Sequence, residues 1–407
     1  MNCGLLGRLL GHSYSCQIHE KLADYHYQLY EKEPEELEDF IRNGDYTGLN
    51  VTIPYKKTVI PLLDTLSPIA QELGAVNTIV RRKDGRLMGH NTDFFGFSSM
   101  LERSGLQAEG KKALVLGSGG ASATAQAVLR KAGAQVAMIS RSGEDNYENL
   151  HKHRDAALIV NATPLGMYPR VGVSPLSLDE FPALEGVLDL IYNPARTKLL
   201  LDAEERGLVA QNGLWMLVAQ AWESAQWFTG SRIPQERIPQ IHRQLRMQME
   251  NLVLIGMPGC GKTTLGAALA QAMGREFVDA DRVLEDRFGP IPEIFATQGE
   301  GAFRALEAQV LAELGKRSGL VIATGGGCVT RQENYRSLHQ NGIIFYVQRP
   351  LEQLPTNGRP LSSQQGTAVL FEARQPLYLD FSDHAVENTK EPQAAVDAIL
   401  KIWEEAL

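Results

Sequence analysis

The sequence predicts an α/β chain built from two nucleotide-binding units in series, and three observations carry that reading. First, 407 residues exceed what a single core organises. Second, the same order of apolar strand, glycine-rich turn and helix occurs twice. It appears as Lys112–Leu116, Gly117 to Gly120 and a helix through Lys131, then as Asn251–Ile255, Gly256 to Lys262 and a helix through Met273. Third, residues 231–249 between the two hold two prolines and many Gln and Arg without a strand pattern, and read as a linker with a short helix. The loops differ in length and chemistry, so the units are not repeats.

Each segment then takes its place. Residues 1–100 alternate short apolar strands (Gly4–Leu6, Gly48–Ile53, Thr78–Val80) with polar helices (Ser15–Glu31, Glu35–Asn43), as a ligand-binding subdomain does. Residues 101–212 form the dinucleotide unit, with further strands expected at Gln135–Ile139 and Ala157–Val160. Residues 213–230 read as an amphipathic helix, part of a segment to residue 242 that returns to the first subdomain. Residues 250–407 form a P-loop domain with a parallel sheet flanked by helices, and Leu320–Ala323 is one of its buried strands.

Composition bounds the function. A net charge of -8 argues against nucleic-acid binding, because a polyanion is repelled. No run of 18 apolar residues exists to span a membrane, and the N-terminus lacks the apolar core of a signal peptide. Four cysteines, none in a C-x-x-C pair, imply reduced thiols and a cytoplasmic protein acting on small molecules. Oligomeric state is left open.

The second glycine loop, Gly256-Met257-Pro258-Gly259-Cys260-Gly261-Lys262-Thr263, fits G-x-x-x-x-G-K-S/T in full, between a strand and a helix. Gly259, Gly261 and the first helical amides, Thr264 included, make an anion nest. Lys262 reaches the β- and γ-phosphates of ATP, and the Thr263 hydroxyl ligates Mg²⁺. After the next strand, Asp279 and Asp281 supply two carboxylates. One orients the metal and the other holds or deprotonates an acceptor hydroxyl. The triple glycine Gly325-Gly326-Gly327 suggests backbone lying against a ligand. Arg304 and Arg374 suit a carboxylate, although either alone reads more readily as a surface charge.

In the first half, Gly117-Ser118-Gly119-Gly120-Ala121-Ser122 fits a dinucleotide loop. About 20 residues on, where a carboxylate would select NAD, stand Ser140 and Arg141, which suit the 2′-phosphate of NADP. Glu144 keeps NAD open. Ser13 and Ser15 offer two hydroxyls to a carboxylate, with Ser15 also placed to cap a helix. Asn50, Thr52, Asn77 and Asp93 offer the fixed donors and acceptors a polyhydroxylated substrate needs. Lys56 beside Asp93 can protonate a developing alkoxide, whereas Lys57 reads as solvated.

Residues 250–407 resemble shikimate kinase. The P-loop, D-x-D, F-R-x-x-E, G-G-G, R-P-L at Arg359 and R-x-P-L-Y at Arg374 to Tyr378 occur in that order. The resemblance implies ATP-dependent phosphorylation of the 3-hydroxyl of shikimate. It assigns Asp281, Arg304, Gly326 and Arg374 to shikimate. Lys262, Thr263 and the lid arginine Arg359 go to nucleotide and metal, and Asp279 to the metal. The approach to Arg359, Leu354–Gly358, is short and less basic than the family's.

Residues 1 to about 242 resemble shikimate dehydrogenase through H-S-x-S, N-V-T-x-P-x-K, G-A-V-N-T, N-T-D, G-x-G-G-A, N-x-T-x-x-G-M, Y-N-P-x-x-T and L-V-x-Q. This implies NADPH-dependent reduction of 3-dehydroshikimate, with Lys56 and Asp93 catalytic. It places Ser13, Ser15, Asn50, Thr52, Asn77 and Gln220 on the substrate and Tyr192 near the nicotinamide. Cys16 stands where the family usually has proline, and His90 reads as structural. The implied product of the first half is the implied acceptor of the second. Two other readings remain: a quinate/shikimate dehydrogenase using NAD fused to the kinase, and a non-catalytic regulator on the same domains.

Overall fold

The computed structural model describes residues 1–407 except 12, 355–365 and 390. The chain folds as two compact units, a first of Met1–Tyr192 with Leu199–His242 and a second of Asn193–Lys198 with Arg243–Leu407.

The first unit opens with β1 (Asn2–Gly7), α1 (Ser15–Leu22), β2 (His26–Glu31), α2 (Leu37–Asn43), β3 (Gly48–Val51), β4 (Thr65–Leu66), α3 (Pro68–Leu73), β5 (Thr78–Arg81), β6 (Leu87–His90) and α4 (Asp93–Ser104). These strands form one mixed sheet in the order β2-β1-β3-β5-β6-β4. The expected helix Ser15–Glu31 is corrected here: it ends at Leu22, and His26–Glu31 pairs in parallel with Asn2–Gly7. Aromatic residues explain the change, since Tyr25 and Tyr27 are buried and such residues favour a pleated, half-buried surface.

A second sheet follows: β7 (Lys112–Leu116), α5 (Gly120–Lys131), β8 (Gln135–Ile139), β9 (Leu158–Asn161), β10 (Gly186–Asp189), α6 (Lys198–Glu204) and β11 (Val209–Gln211). The five strands run parallel in the order β11-β10-β9-β7-β8. Then α7 (Leu214–Thr229) packs against α1, α4, β3 and β5. Ten of its sixteen residues are buried, so it packs as a core helix. Gly96 permits the approach, because a Cβ there would stand 2.9 Å from the Met216 carbonyl and from Gln220 Cβ. The segment expected to be a linker is largely one helix, α8 (Arg237–Met249).

The second unit continues with β12 (Asn251–Ile255), α9 (Lys262–Met273), β13 (Glu276–Asp279), α10 (Ala280–Phe288), α11 (Ile291–Lys316), β14 (Leu320–Ala323), α12 (Gln332–His339), β15 (Gly342–Gln348), α13 (Thr367–Phe381), β16 (His384–Glu387) and α14 (Pro392–Ala406). The sheet is parallel throughout, ordered β13-β14-β12-β15-β16. Its central strands are buried along their length, as a sheet covered on both faces requires. Gly299, at φ 82°, breaks α11 into two segments.

Candidate active sites

In the first unit, Lys56 lies beyond β3, with its carbonyl fixed by the Val76 N–H at 2.8 Å. Asp93 is the first residue of α4, where the helix dipole favours a carboxylate. Lys56 Nζ stands 2.5 Å from Asp93 Oδ2, and both side chains are mostly buried. Lys57 is exposed.

Asn77 fixes where α4 begins. Its Oδ1 accepts from the Thr92 N–H at 2.7 Å, and its Nδ2 donates to Thr92 Oγ1 at 3.1 Å. Asn50 is held on two sides, accepting from the Tyr27 hydroxyl at 2.8 Å and donating to Thr78 Oγ1 at 3.3 Å. Gln220 donates to the Leu217 carbonyl at 2.9 Å and sits against Gly96, one turn after Asp93. Ser13 and Ser15 are joined at 3.0 Å, and Tyr14 meets Tyr192 edge to face at 6.0 Å, placing Tyr192 beside the serine loop. Ser15 caps nothing, contrary to expectation: it is the first helical residue, and its hydroxyl faces Ser13. Thr52, half-buried, ties β1 to the Lys56 loop through its N–H to the Leu6 carbonyl. His90 accepts from the Asn91 N–H and meets Ser67 Oγ at 3.0 Å, and burial lowers its pKa to about 4.

The dinucleotide loop comes up to this cluster. A Cβ on Gly120 would stand 3.7 Å from Lys56 Cδ. Gly117, at φ 109°, turns the chain against the Ala162 carbonyl, and its own carbonyl accepts from Ser122 Oγ at 2.6 Å. A Cβ on Gly119 would meet open space, and α5 begins at Gly120, so the first helix amides face that space. This fits a dinucleotide. Ser140 is buried at the end of β8, and Arg141 is exposed beside it.

The second unit holds a cavity of about 620 Å³ at the carboxyl ends of its strands. Gly259 and Gly261 adopt positive φ, and Lys262 folds over the loop to the Gly256 and Met257 carbonyls at 2.8 and 3.1 Å. Thr263 donates to Asp279 Oδ2 at 2.7 Å, while Asp279 Oδ1 caps α10 through the Asp281 and Arg282 amides. Thr264 is exposed at the same helix start. Among the described residues no three His, Cys, Asp or Glu could hold a metal ion. The Thr263–Asp279 pair instead fits Mg²⁺ that takes its remaining ligands from phosphate and water.

Opposite the loop, Asp281, Glu307, Arg304 and Arg374 converge on the three glycines. A Cβ on Gly325 would fall 2.6 Å from Asp281 Oδ1 and 2.5 Å from Glu307 Oε1. On Gly327 it would meet the Arg304 guanidinium, and on Gly326 the Pro258 ring. Arg304 pairs with Glu307 at 2.8 Å and Glu300 at 3.2 Å. The Gly326 carbonyl accepts from Arg374 at 3.1 Å and from the Tyr378 hydroxyl. Burial, then the negative charge of Glu307, pushes the Asp281 carboxyl up to about 6, with Lys262 opposing. Burial raises Glu307 as well, against Arg304. Arg359, expected to be the lid arginine, lies outside the described residues, as does His12.

Sequence reasoning gave no role to Tyr27, nor to Glu307 and Tyr378, which it named only as motif members. The second and third carried a signal: they follow Arg304 and Arg374 by three and four residues, the spacing that puts side chains on one helix face. Tyr27 carried none, because its segment has the pattern of a polar helix.

A family model for the shikimate dehydrogenase substrate-binding domain matches residues 5–79, and one for shikimate kinase matches residues 258–404. Shikimate dehydrogenase (NADP(+)) of Clostridium perfringens is 33% identical over 265 residues, covering 60% of this chain and 97% of that protein. The chain belongs to the shikimate dehydrogenase family, with a shikimate kinase domain behind it. It is a bifunctional shikimate-pathway enzyme.

Solved structures agree for the dehydrogenase half. Shikimate dehydrogenase 1 of Peptoclostridium difficile is 36% identical with a TM-score of 0.56, covering 60% of this chain and 97% of its own. The Thermus thermophilus enzyme in complex with NADP(H) and shikimate is 32% identical with a TM-score of 0.55, covering 60% and 99%. The parallel sheets are therefore those of an oxidoreductase using NADP(H) and a kinase. Among the described residues, no helix is long and apolar enough to cross a membrane.

Proposed function

We propose that Lys56 and Asp93 are the catalytic pair of the reductase and that Asp281 and Lys262 are that of the kinase. The observation that carries the first is the 2.5 Å Lys56–Asp93 contact beside Gly120. Bound NADPH supplies the hydride to the C3 carbonyl of 3-dehydroshikimate. Lys56 donates its proton to the oxygen that becomes negative, and Asp93 keeps the ammonium charged and aimed. Ser13 and Ser15 hold the acid's carboxylate. Asn50, Thr52, Asn77 and Gln220 hold its hydroxyls, and Tyr192 closes the nicotinamide side. Gly117, Gly119, Gly120 and Ala121 cradle the pyrophosphate, while Ser140 and Arg141 take the 2′-phosphate.

In the kinase, Arg304 and Arg374 hold the shikimate carboxylate, and Gly326 lies against its ring. Asp281 accepts the 3-hydroxyl proton as that oxygen bonds the γ-phosphorus and the bond to ADP breaks. Gly259, Gly261, Lys262, Thr263, Thr264 and the lid arginine Arg359 hold the nucleotide. Bound Mg²⁺, held by Thr263 and Asp279, offsets phosphate charge. Residues 1–100 with 213–242 thus take the acid, 101–212 the dinucleotide and 250–407 ATP, joined through 231–249. Four free cysteines suit the cytoplasm, and the small-molecule partners are 3-dehydroshikimate, shikimate, NADPH and ATP.

One assay tests the whole reading. Given 3-dehydroshikimate, NADPH and ATP–Mg²⁺, the full chain is expected to yield shikimate 3-phosphate by mass spectrometry. Accumulated shikimate without phosphate would overturn the kinase assignment, and unreacted 3-dehydroshikimate that of the reductase.

A further inference from the structure

We propose that Arg349 is a phosphate-binding residue for the kinase's nucleotide. Strand β15 is paired with the P-loop strand, Tyr346 opposite Ile255. The two backbones are so close that a Cβ on Gly256 would stand 2.6 Å from the Val347 carbonyl. Arg349, two residues further on, therefore leaves the carboxyl end of β15 beside the first turn of the P-loop. In parallel sheets of this kind that is where ligands sit.

Its side chain lines the 620 Å³ cavity with Lys262 and Asp281, and also a neighbouring cavity of about 320 Å³ with Phe371, Gln375 and Thr389. It is thus a wall common to both. Its Nε is buried and makes no hydrogen bond, and among the described residues no ion pair forms to the guanidinium. A desolvated guanidinium N–H without an acceptor is costly, unless a ligand supplies one.

The other cations of this cavity are engaged. Arg304 is paired with Glu307 and Glu300, Arg374 with the Gly326 carbonyl, and Lys262 with the P-loop carbonyls. Between Ser337 and Ala373 the sequence has no Lys or Arg besides Arg349 and Arg359. Among the described residues, a triphosphate entering this cavity meets one uncommitted planar donor set, at the carboxyl end of β15. Guanidinium groups bind phosphate oxygens in pairs.

The proposal rests on the kinase reading, which ADP binding to the unaltered chain tests separately. In the full chain, Arg349→Ala and the bulkier Arg349→Gln are compared by calorimetry with ADP and with shikimate. The expected result is a Kd for ADP and a KM for ATP raised roughly 10-fold or more. Shikimate affinity should hold to within about twofold, well under the loss of one charged hydrogen bond. The NADPH-dependent rate of the same preparations should be unchanged, and the retained shikimate affinity shows that the kinase unit has folded. Weakened shikimate binding with ADP binding intact would give Arg349 to the acid instead and overturn the proposal. Unchanged binding of both would make it a structural cation, and equally overturn it.

Discussion

The two sites of this chain solve opposite electrostatic problems. The reductase cluster contains one ion pair, Lys56 with Asp93, set among neutral amides and hydroxyls that are already bonded to one another. The kinase cavity gathers Lys262, Arg304, Arg374, Asp281 and Glu307, each largely buried, around backbone that carries no side chains. Reduction of a ketone develops one charge, at one oxygen, and needs one proton donor. Phosphoryl transfer moves a highly charged group between two acids and needs compensation on several sides. The neutral site is therefore fixed by hydrogen-bond geometry, and the charged site by mutual pairing.

The strongest way to break this contrast is to remove one lysine from each side. Lys262→Ala should lower phosphorylation of shikimate roughly 10³-fold and leave NADPH oxidation intact. Lys56→Ala should lower reduction of 3-dehydroshikimate on the order of 10²–10⁴-fold and leave the kinase intact. Separate steady-state assays on each variant check both. A Lys56→Ala chain that still reduces at the wild-type rate would end the proposed mechanism.

A smaller effect is expected outside the catalytic pairs. Arg141→Ala should raise KM for NADPH roughly 10-fold while leaving KM for NADH nearly unchanged, because only NADPH carries the 2′-phosphate. Equal losses with both cofactors would separate Arg141 from that phosphate.

The buried tyrosines sharpen the comparison further. Tyr27 holds Asn50 and Tyr378 holds the Gly326 carbonyl, so each site keeps one expected ligand in place through a phenol. Tyr27→Phe and Tyr378→Phe should each raise KM for that half's acid substrate about 3–10-fold with kcat little changed, the worth of one hydrogen bond. Crossed effects, Tyr27 on shikimate phosphorylation for instance, would sink the assignment.

The smallest expected effect is on stability against acid, and its sign differs between the units. Burial lowers His19 to about 3 and His90 to about 4, both below the ordinary 6.5. The unfolded chain thus binds more protons as pH falls below 6.5, and these groups destabilise the first unit through that window. Asp281 is raised to about 6, so its contribution runs the other way: the folded second unit binds the extra proton between about 6 and the ordinary 3.8. Urea unfolding at pH 7 and pH 5, followed by peptide-resolved hydrogen exchange, should show the first unit losing more midpoint. A larger loss in the second unit would contradict this.

Much of this was legible in the sequence, for local reasons. Strands Lys112–Leu116, Asn251–Ile255 and Leu320–Ala323 and the helices ending at Lys131 and Met273 stand where apolar runs and glycine turns put them. The Lys56–Asp93 contact joins residues 37 positions apart, and is legible through motif order rather than spacing. What escaped was non-local. His26–Glu31 becomes a strand because it pairs with Asn2–Gly7, and no window of its own sequence shows that partner. The extent to which α7 is buried depends on Gly96, more than 100 residues earlier in the chain.

The three glycines at 325–327 have a consequence for how this gene can vary. Any single-base change in a glycine codon that alters the residue adds at least one carbon. At 325 and 327 that carbon meets the ends of Asp281, Glu307 and Arg304, which can swing aside, so such alleles should yield a folded protein with a disabled kinase and a working reductase. At 326 it meets Pro258, whose ring cannot move without carrying the P-loop with it. A genetic screen would see one short turn as two kinds of site, and the fusion would let the reductase report which kind had been hit.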